Sequence, residues 1–127
     1  MPADAQANVT DDPRRLAAVY FEAWRAKDPS RLRPVLADDV QFDGPLAQVH
    51  GGAEAYCESI AGLYAITADL VIHKVLADDT DALTWFVLHT SVAPPVPVAN
   101  WCHAPAGRIE RVKVAFDPRG LIAARDS

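Results

Sequence analysis

The sequence predicts a single α+β domain in which amino-terminal helices pack on a mostly antiparallel sheet. Two Asp-Pro helix starts stand early in the chain, at Asp12-Pro13 and Asp28-Pro29. From Thr67 onward the chain reads as successive strands with short connections, which pair most simply as an antiparallel meander. Helices first and strands last is the α+β order, not the alternation of βαβ units. A chain of 127 residues, half of them apolar, can bury one core and one internal pocket, and two packed domains do not fit that length.

Residues 1–11 are polar and acidic, without the basic and apolar regions of a signal peptide, and read as a flexible lead-in. Asp12 is an N-cap and Pro13 a first helical residue. Leu16, Val19, Tyr20, Ala23 and Trp24 then recur at helical spacing to about Lys27. Asp28-Pro29 opens a short second helix through Leu36. Val40 to Asp43 alternates as a short strand stopped by Gly44-Pro45, and Leu46 to His50 reads as another. After Gly51-Gly52, Ala53 to Leu63 is helical, with Tyr56, Ile60 and Leu63 on one stripe. The long strands are Thr67 to Leu76, Ala82 to Ser91, Val96 to His103 and Arg108 to Phe116, broken at Asp78-Asp79, Pro94-Pro95 and Ala106-Gly107.

A two-residue turn at Ala106-Gly107 sets Trp101 opposite Val112, Ala99 opposite Val114 and His103 opposite Glu110. Val112, Val114 and Phe116 are apolar while Arg111 and Lys113 alternate with them, so the first set faces inward and takes Trp101 and His103 with it. One β-bulge would reverse this and bring Asn100 and Cys102 inward. A turn at Pro94-Pro95 sets His89 across from Asn100, so those two share a face.

Seventeen Asp and Glu against twelve Lys and Arg, for a net charge of −5, exclude the clustered basic face that nucleic acid or an anionic membrane surface requires. No apolar run approaches the roughly 18 residues of a membrane helix. Cys57 and Cys102 are far apart and lack a CxxC spacing, which suits a reducing compartment, and the expected location is the cytoplasm. His50, His73, His89 and His103 show no metal-ligand spacing, so no metal and no other cofactor is expected.

The segments "VYFEAWRAKDPSRLRPVLADDVQFDGPL", "GGAEAYCESIAGL" and "GRIERVKVAF" resemble the opening helix-to-first-strand segment, the third helix and the last strand of the nuclear-transport-factor-2-like superfamily. That superfamily includes ketosteroid isomerase and the SnoaL-like polyketide cyclases. The resemblance covers nearly the whole chain, 1–127, as one SnoaL-like domain. It implies a cone-shaped α+β barrel and a homodimer through the convex sheet face, where Trp85, Val87, Asn100, Cys102, Arg111 and Lys113 would lie. It does not select a chemistry, because the superfamily holds isomerases, cyclases, epoxide hydrolases, dehydratases and binders.

Carried over residue by residue, the resemblance places Tyr20 where ketosteroid isomerases have a tyrosine that donates to a dienolate oxygen. The alternative for Tyr20 is an inward core residue. The isomerase's proton-shuttling aspartate falls on Gly44, so the base is displaced or absent. Asp43, one residue earlier, is a candidate base if a bulge turns it inward and otherwise a solvated strand-end aspartate. The cyclase histidine and aspartate fall on Asn100 and Val114, neither of which moves protons at neutral pH.

His103 is the other candidate base, oriented by Glu110, and its alternative is a structural pair at the cone mouth. His89 joins Asn100 as polar lining in the bulged register. Trp24, Phe42, Tyr56, Phe86, Trp101, Val114 and Phe116 are the expected substrate-binding walls around an apolar organic ligand. The expected function is cofactor-free isomerisation or cyclisation of an apolar carbonyl compound. A non-catalytic ligand-binding or dimerisation module stands beside it, and epoxide hydrolysis comes third for want of an inward arginine between two strand aspartates.

Overall fold

A computed structural model describes residues 12–126; the lead-in expected over 1–11 lies outside the described residues. Helix α1 spans Pro13–Ala26. Its N-cap Asp12 accepts a 3.0 Å hydrogen bond from the backbone N–H of Arg15, and Lys27 closes it in the left-handed region at φ 54°. Asp28 caps the short helix α2, Pro29–Leu32, which continues as a 3₁₀ turn over Arg33–Val35. The chain then enters β1 at Leu36, four residues before the expected strand start at Val40, and leaves it at Asp43. The second helix accordingly ends earlier than its apolar stripe suggests. Leu36 at the stripe's end is fully buried, but as the first residue of a strand.

Strand β2 is Gln48–Val49, helix α3 Gly52–Ile66, and the long strands are β3 Thr67–Ala77, β4 Asp81–Thr90, β5 Val96–His103 and β6 Ile109–Ala115. They form one sheet in the order β2-β1-β6-β5-β4-β3. The β1–β6 pair is parallel and the others antiparallel, and the sheet curves without closing. The result is the α+β order that the sequence predicts and the cone-like shape that the resemblance implies, with an open sheet in place of a closed barrel. A fourth helix, α4 over Arg119–Arg125, was not expected. Its signal is a third Asp-Pro, Asp117-Pro118, and Asp117 accepts from the backbone N–H of Arg119 at 3.1 Å as the other helix-starting aspartates do. No helix among the described residues is long and apolar enough to cross a membrane.

The β5–β6 pairing corrects the favoured register. Trp101 lies opposite Lys113, Asn100 opposite Val114 and Cys102 opposite Val112. The hairpin loop is odd, centred on Gly107 at φ 84°, and one residue more than a two-residue turn sends every side chain of β5 to the other face. Asn100 and Cys102 are therefore inward, each 1% exposed, while Trp101 and His103 face out. The β4–β5 turn is longer than Pro94-Pro95 alone. Thr84, not His89, stands opposite Asn100, and His89 pairs with Asp69 on the outer face. The outer face thus carries Leu83, Trp85, Val87, Trp101, Arg111 and Lys113, without Asn100 and Cys102.

The concave face holds the core. Tyr20, Phe21 and Trp24 project from α1, and the Phe21 and Trp24 rings meet Phe86 of β4 at 5.0 and 5.6 Å in edge contacts while Tyr20 packs edge-on against both. The indole N–H of Trp24 donates to Thr67 Oγ1 at 2.8 Å, so the ring is buried without an orphaned donor.

Gly52 starts α3 at φ 88°, and a Cβ there would stand 2.7 Å from the Asp38 carbonyl oxygen. Gly62, on the same helix, would meet nothing within 4 Å. The two positions respond oppositely to alanine. Gly52→Ala is expected to lower stability by about 2–3 kcal/mol through left-handed strain and the backbone clash. Gly62→Ala is expected to raise it by about 0.5–1 kcal/mol. Chemical denaturation of both variants checks the pair, and equal shifts would contradict the packing of α3 against β1.

Candidate functional site

Between the concave sheet, α1, α3 and α4 lies a cavity of about 480 Å³. Its inner end is bounded by buried residues: Tyr20 and Trp24 from α1, Tyr56 and Ile60 from α3, Phe86 from β4 and Val98 and Asn100 from β5. Phe42, Val114 and Phe116 form its side, and the exposed residues Leu46, Ser59, Gly62, Val92 and Arg125 its mouth. The walls are overwhelmingly apolar, as expected for a site that takes an apolar organic molecule.

The polar groups converge at the inner end. The hydroxyls of Tyr20 and Tyr56 are 2.5 Å apart, with both residues at most 2% exposed. The Cys102 thiol donates to Asn100 Oδ1 at 3.2 Å. Burial pushes that thiol up to about 12, so it stays protonated and remains a donor. Since the thiol engages the carbonyl oxygen of Asn100, the amide NH₂ is left to donate, and its hydrogen bonding favours the ionised form of Tyr20. Burial outweighs that effect and holds the phenols of both Tyr20 and Tyr56 well above the usual tyrosine range. Two hydroxyls that share one hydrogen bond keep one O–H free to donate elsewhere. The cluster can therefore offer an O–H and an N–H to a ligand oxygen, the arrangement that stabilises a carbonyl or a developing oxyanion.

Of the expected site residues, Tyr20, Asn100, Trp24, Phe42, Tyr56, Phe86, Val114 and Phe116 line this one cavity, and Trp101, His103, His89 and Asp43 do not. His103 Nδ1 sits 2.5 Å from Asp81 Oδ1, not beside Glu110, and its ring stacks on Trp101 on the outer face. Asp43 Oδ1 is 2.9 Å from His50 Nε2, on the side of β1 away from the cavity. Strand alternation, with Phe42 inward, decides that placement. A Cβ at Gly44 would lie 3.0 Å from Cζ of Phe42, whose ring occupies the space a side chain at 44 would enter. Among the described lining residues there is thus no carboxylate and no imidazole. No three His, Cys, Asp or Glu side chains gather among the described residues in a way that could hold a metal ion. Leu121, Ala124 and Arg125 are lining residues that the sequence reading missed along with α4.

Tyr20, Tyr56 and Cys102 are neutral when protonated, and burial raises each above its ordinary value. The unfolded chain releases these protons first, so folding stability falls as pH rises past 9.0 for the thiol and 10.0 for the phenols. Each group contributes a slope of about −1.4 kcal/mol per pH unit there. Tyr20→Phe is expected to remove one share of that slope in denaturation measured between pH 9 and 11. An unchanged slope would contradict the burial of an ionisable hydroxyl at 20.

The family model for the SnoaL-like domain matches residues 17–116. No match was found among curated proteins. Among solved structures, a protein from Kribbella flavida superposes with a TM-score of 0.82 at 23% identity, over 92% of this chain and 95% of that one. A steroid delta-isomerase from Pseudomonas aeruginosa gives 0.73 at 21%, over 87% and 84%. An LEH-like epoxide hydrolase from M. tuberculosis gives 0.70 at 17%, over 87% and 86%. Likeness at these identities carries the fold and leaves the chemistry to each site. With the family match spanning most of the chain, this protein belongs to the SnoaL-like domain family of the nuclear-transport-factor-2-like fold.

Proposed function

We propose that the protein binds a small apolar compound bearing a carbonyl or phenolic oxygen, seated with that oxygen at the Tyr20–Tyr56–Asn100 cluster. The observation that carries this reading is the pairing of hydrogen-bond donors at the inner end with a lining that, among the described residues, holds no carboxylate or imidazole. Donors without a base polarise and retain a carbonyl compound, but they leave its carbon-bound protons in place. Binding is therefore favoured over the isomerisation or cyclisation that the sequence led us to expect. Tyr20 and Asn100 act as binding residues, and Trp24, Phe42, Tyr56, Phe86, Val114 and Phe116 as walls.

A second reading is proton transfer on the same ligand, and the donor cluster favours it because a dienolate oxygen needs such partners. The two readings separate in one experiment. The protein is titrated with a polycyclic ketone that carries exchangeable α-protons, and deuterium incorporation is followed by NMR in D₂O. Expected is saturable binding with exchange at the buffer rate, and a roughly 5- to 20-fold loss of affinity in Tyr20→Phe from the lost hydrogen bond. Exchange accelerated a thousandfold or more would overturn the binding reading in favour of catalysis.

The outer sheet face supports a homodimer. Leu83 and Trp85 are 41% and 47% exposed, and Trp101 lies across from Leu83. Arg111 and Lys113 on β6 border this apolar strip on one side and Lys74 and Asp69 on β3 on the other, so a second copy would cover an apolar centre with a charged rim. Sedimentation is expected to give a dimer for the native chain and a folded monomer for Trp85→Glu. A native monomer at tens of micromolar would contradict this.

A further inference from the structure

The mouth of the cavity differs from its inner end in one chemical respect. Arg125 is its one charged lining residue among those described. It stands on α4 with Leu121 and Ala124, spaced so that the three share one face of the helix, and all three line the cavity. Arg125 is exposed, whereas Tyr20, Tyr56 and Asn100 are buried to within 2%, so the cation and the neutral donors sit at opposite ends of one apolar space. Among the described residues its ion-pair partner is Asp126, whose Oδ1 lies 3.7 Å from Nε, and both side chains are about two-thirds exposed. A pair that long and that solvated holds the guanidinium weakly and leaves its remaining N–H donors for a ligand. Leu46 and Val92, 38% and 48% exposed, stand at the same mouth as apolar surface without cover.

We infer that the ligand class is an amphipathic acid: an apolar, flat or polycyclic body with a carbonyl or phenolic oxygen at one end and a carboxylate at the other. The oxygen seats at the Tyr20–Asn100 end, the body packs on the aromatic walls, and the carboxylate meets the Arg125 guanidinium at the mouth. Arg is suited to this role because its planar fork matches a carboxylate in two parallel hydrogen bonds. The inference rests on the binding reading above and adds the polarity of the ligand and its direction in the cavity.

The test compares 2-naphthol with 6-hydroxy-2-naphthoic acid at pH 7.5 and low salt, by tryptophan fluorescence, on the native chain, Arg125→Gln and Arg125→Lys. Expected for the native chain is an acid that binds roughly three- to tenfold more tightly than the neutral phenol. That ratio is expected to fall to one or below in Arg125→Gln, to survive in part in Arg125→Lys, and to shrink as salt rises toward 1 M. An acid that binds no better than the phenol to the native chain, or a ratio unchanged in Arg125→Gln, overturns the inference while binding of the phenol leaves the cavity reading standing. Failure of both compounds to bind overturns the cavity reading and the inference with it.

Discussion

The hydrogen bond between the hydroxyls of Tyr20 and Tyr56 ties the first helix to the third across the inner end of the cavity, beside Asn100 of the central strand β5. An unpaired buried hydroxyl costs about 1–3 kcal/mol, and the bond between their oxygens spares both rings that cost. Because Tyr20 sits on the same helix face as Trp24 and Leu16, its position also fixes how α1 seats against β4 and how Phe21 and Trp24 reach Phe86. The cavity between the concave sheet and the helices then has a cluster of polar groups at its inner end and apolar walls leading out from it.

The second constraint is the parity of β5. Its inward set is Val96, Val98, Asn100 and Cys102. Val98 is wall, Asn100 supplies the amide, and the Cys102 thiol holds the amide's orientation from two residues away. A thiolate could not do this, and burial keeps the sulfur protonated. With the opposite parity the same strand would have turned Trp101 and His103 toward the concave face in place of Asn100 and Cys102. Which side chains of β5 meet the core thus rests on one residue of loop length at Gly107.

Much of the fold was legible in the sequence because its signals are local. Asp-Pro marks both amino-terminal helices and turn residues bound the long strands, and the aromatic spacing at Tyr20 and Trp24 placed the right side chains inside. The inward face of β6 was equally readable from Val112 and Val114 alternating with Arg111 and Lys113. What failed was not local. Loop length at Ala106-Gly107 and Pro94-Pro95 sets the register of whole strands, and a loop with one residue more looks the same in composition. For Asn100 and Cys102 the bulged alternative named the correct face, though the means was an odd turn centred on Gly107. Asp117-Pro118 carried the same start signal as the other helices, yet the short segment after it has too few apolar residues for its periodicity to stand out. Arg125 could not be placed at the mouth without that helix.

The most direct measurement of the donor cluster is the carbonyl stretch of a bound polycyclic ketone, isolated by ¹³C difference infrared spectroscopy. A ketone whose oxygen accepts from Tyr20 and Asn100 should absorb well below its frequency in hexane and below its frequency in Tyr20→Phe, because each hydrogen bond weakens the C=O bond. A stretch at the hexane position in the native protein would mean that the oxygen does not reach the buried hydroxyls, and would contradict the placement of the ligand on which the proposed function depends.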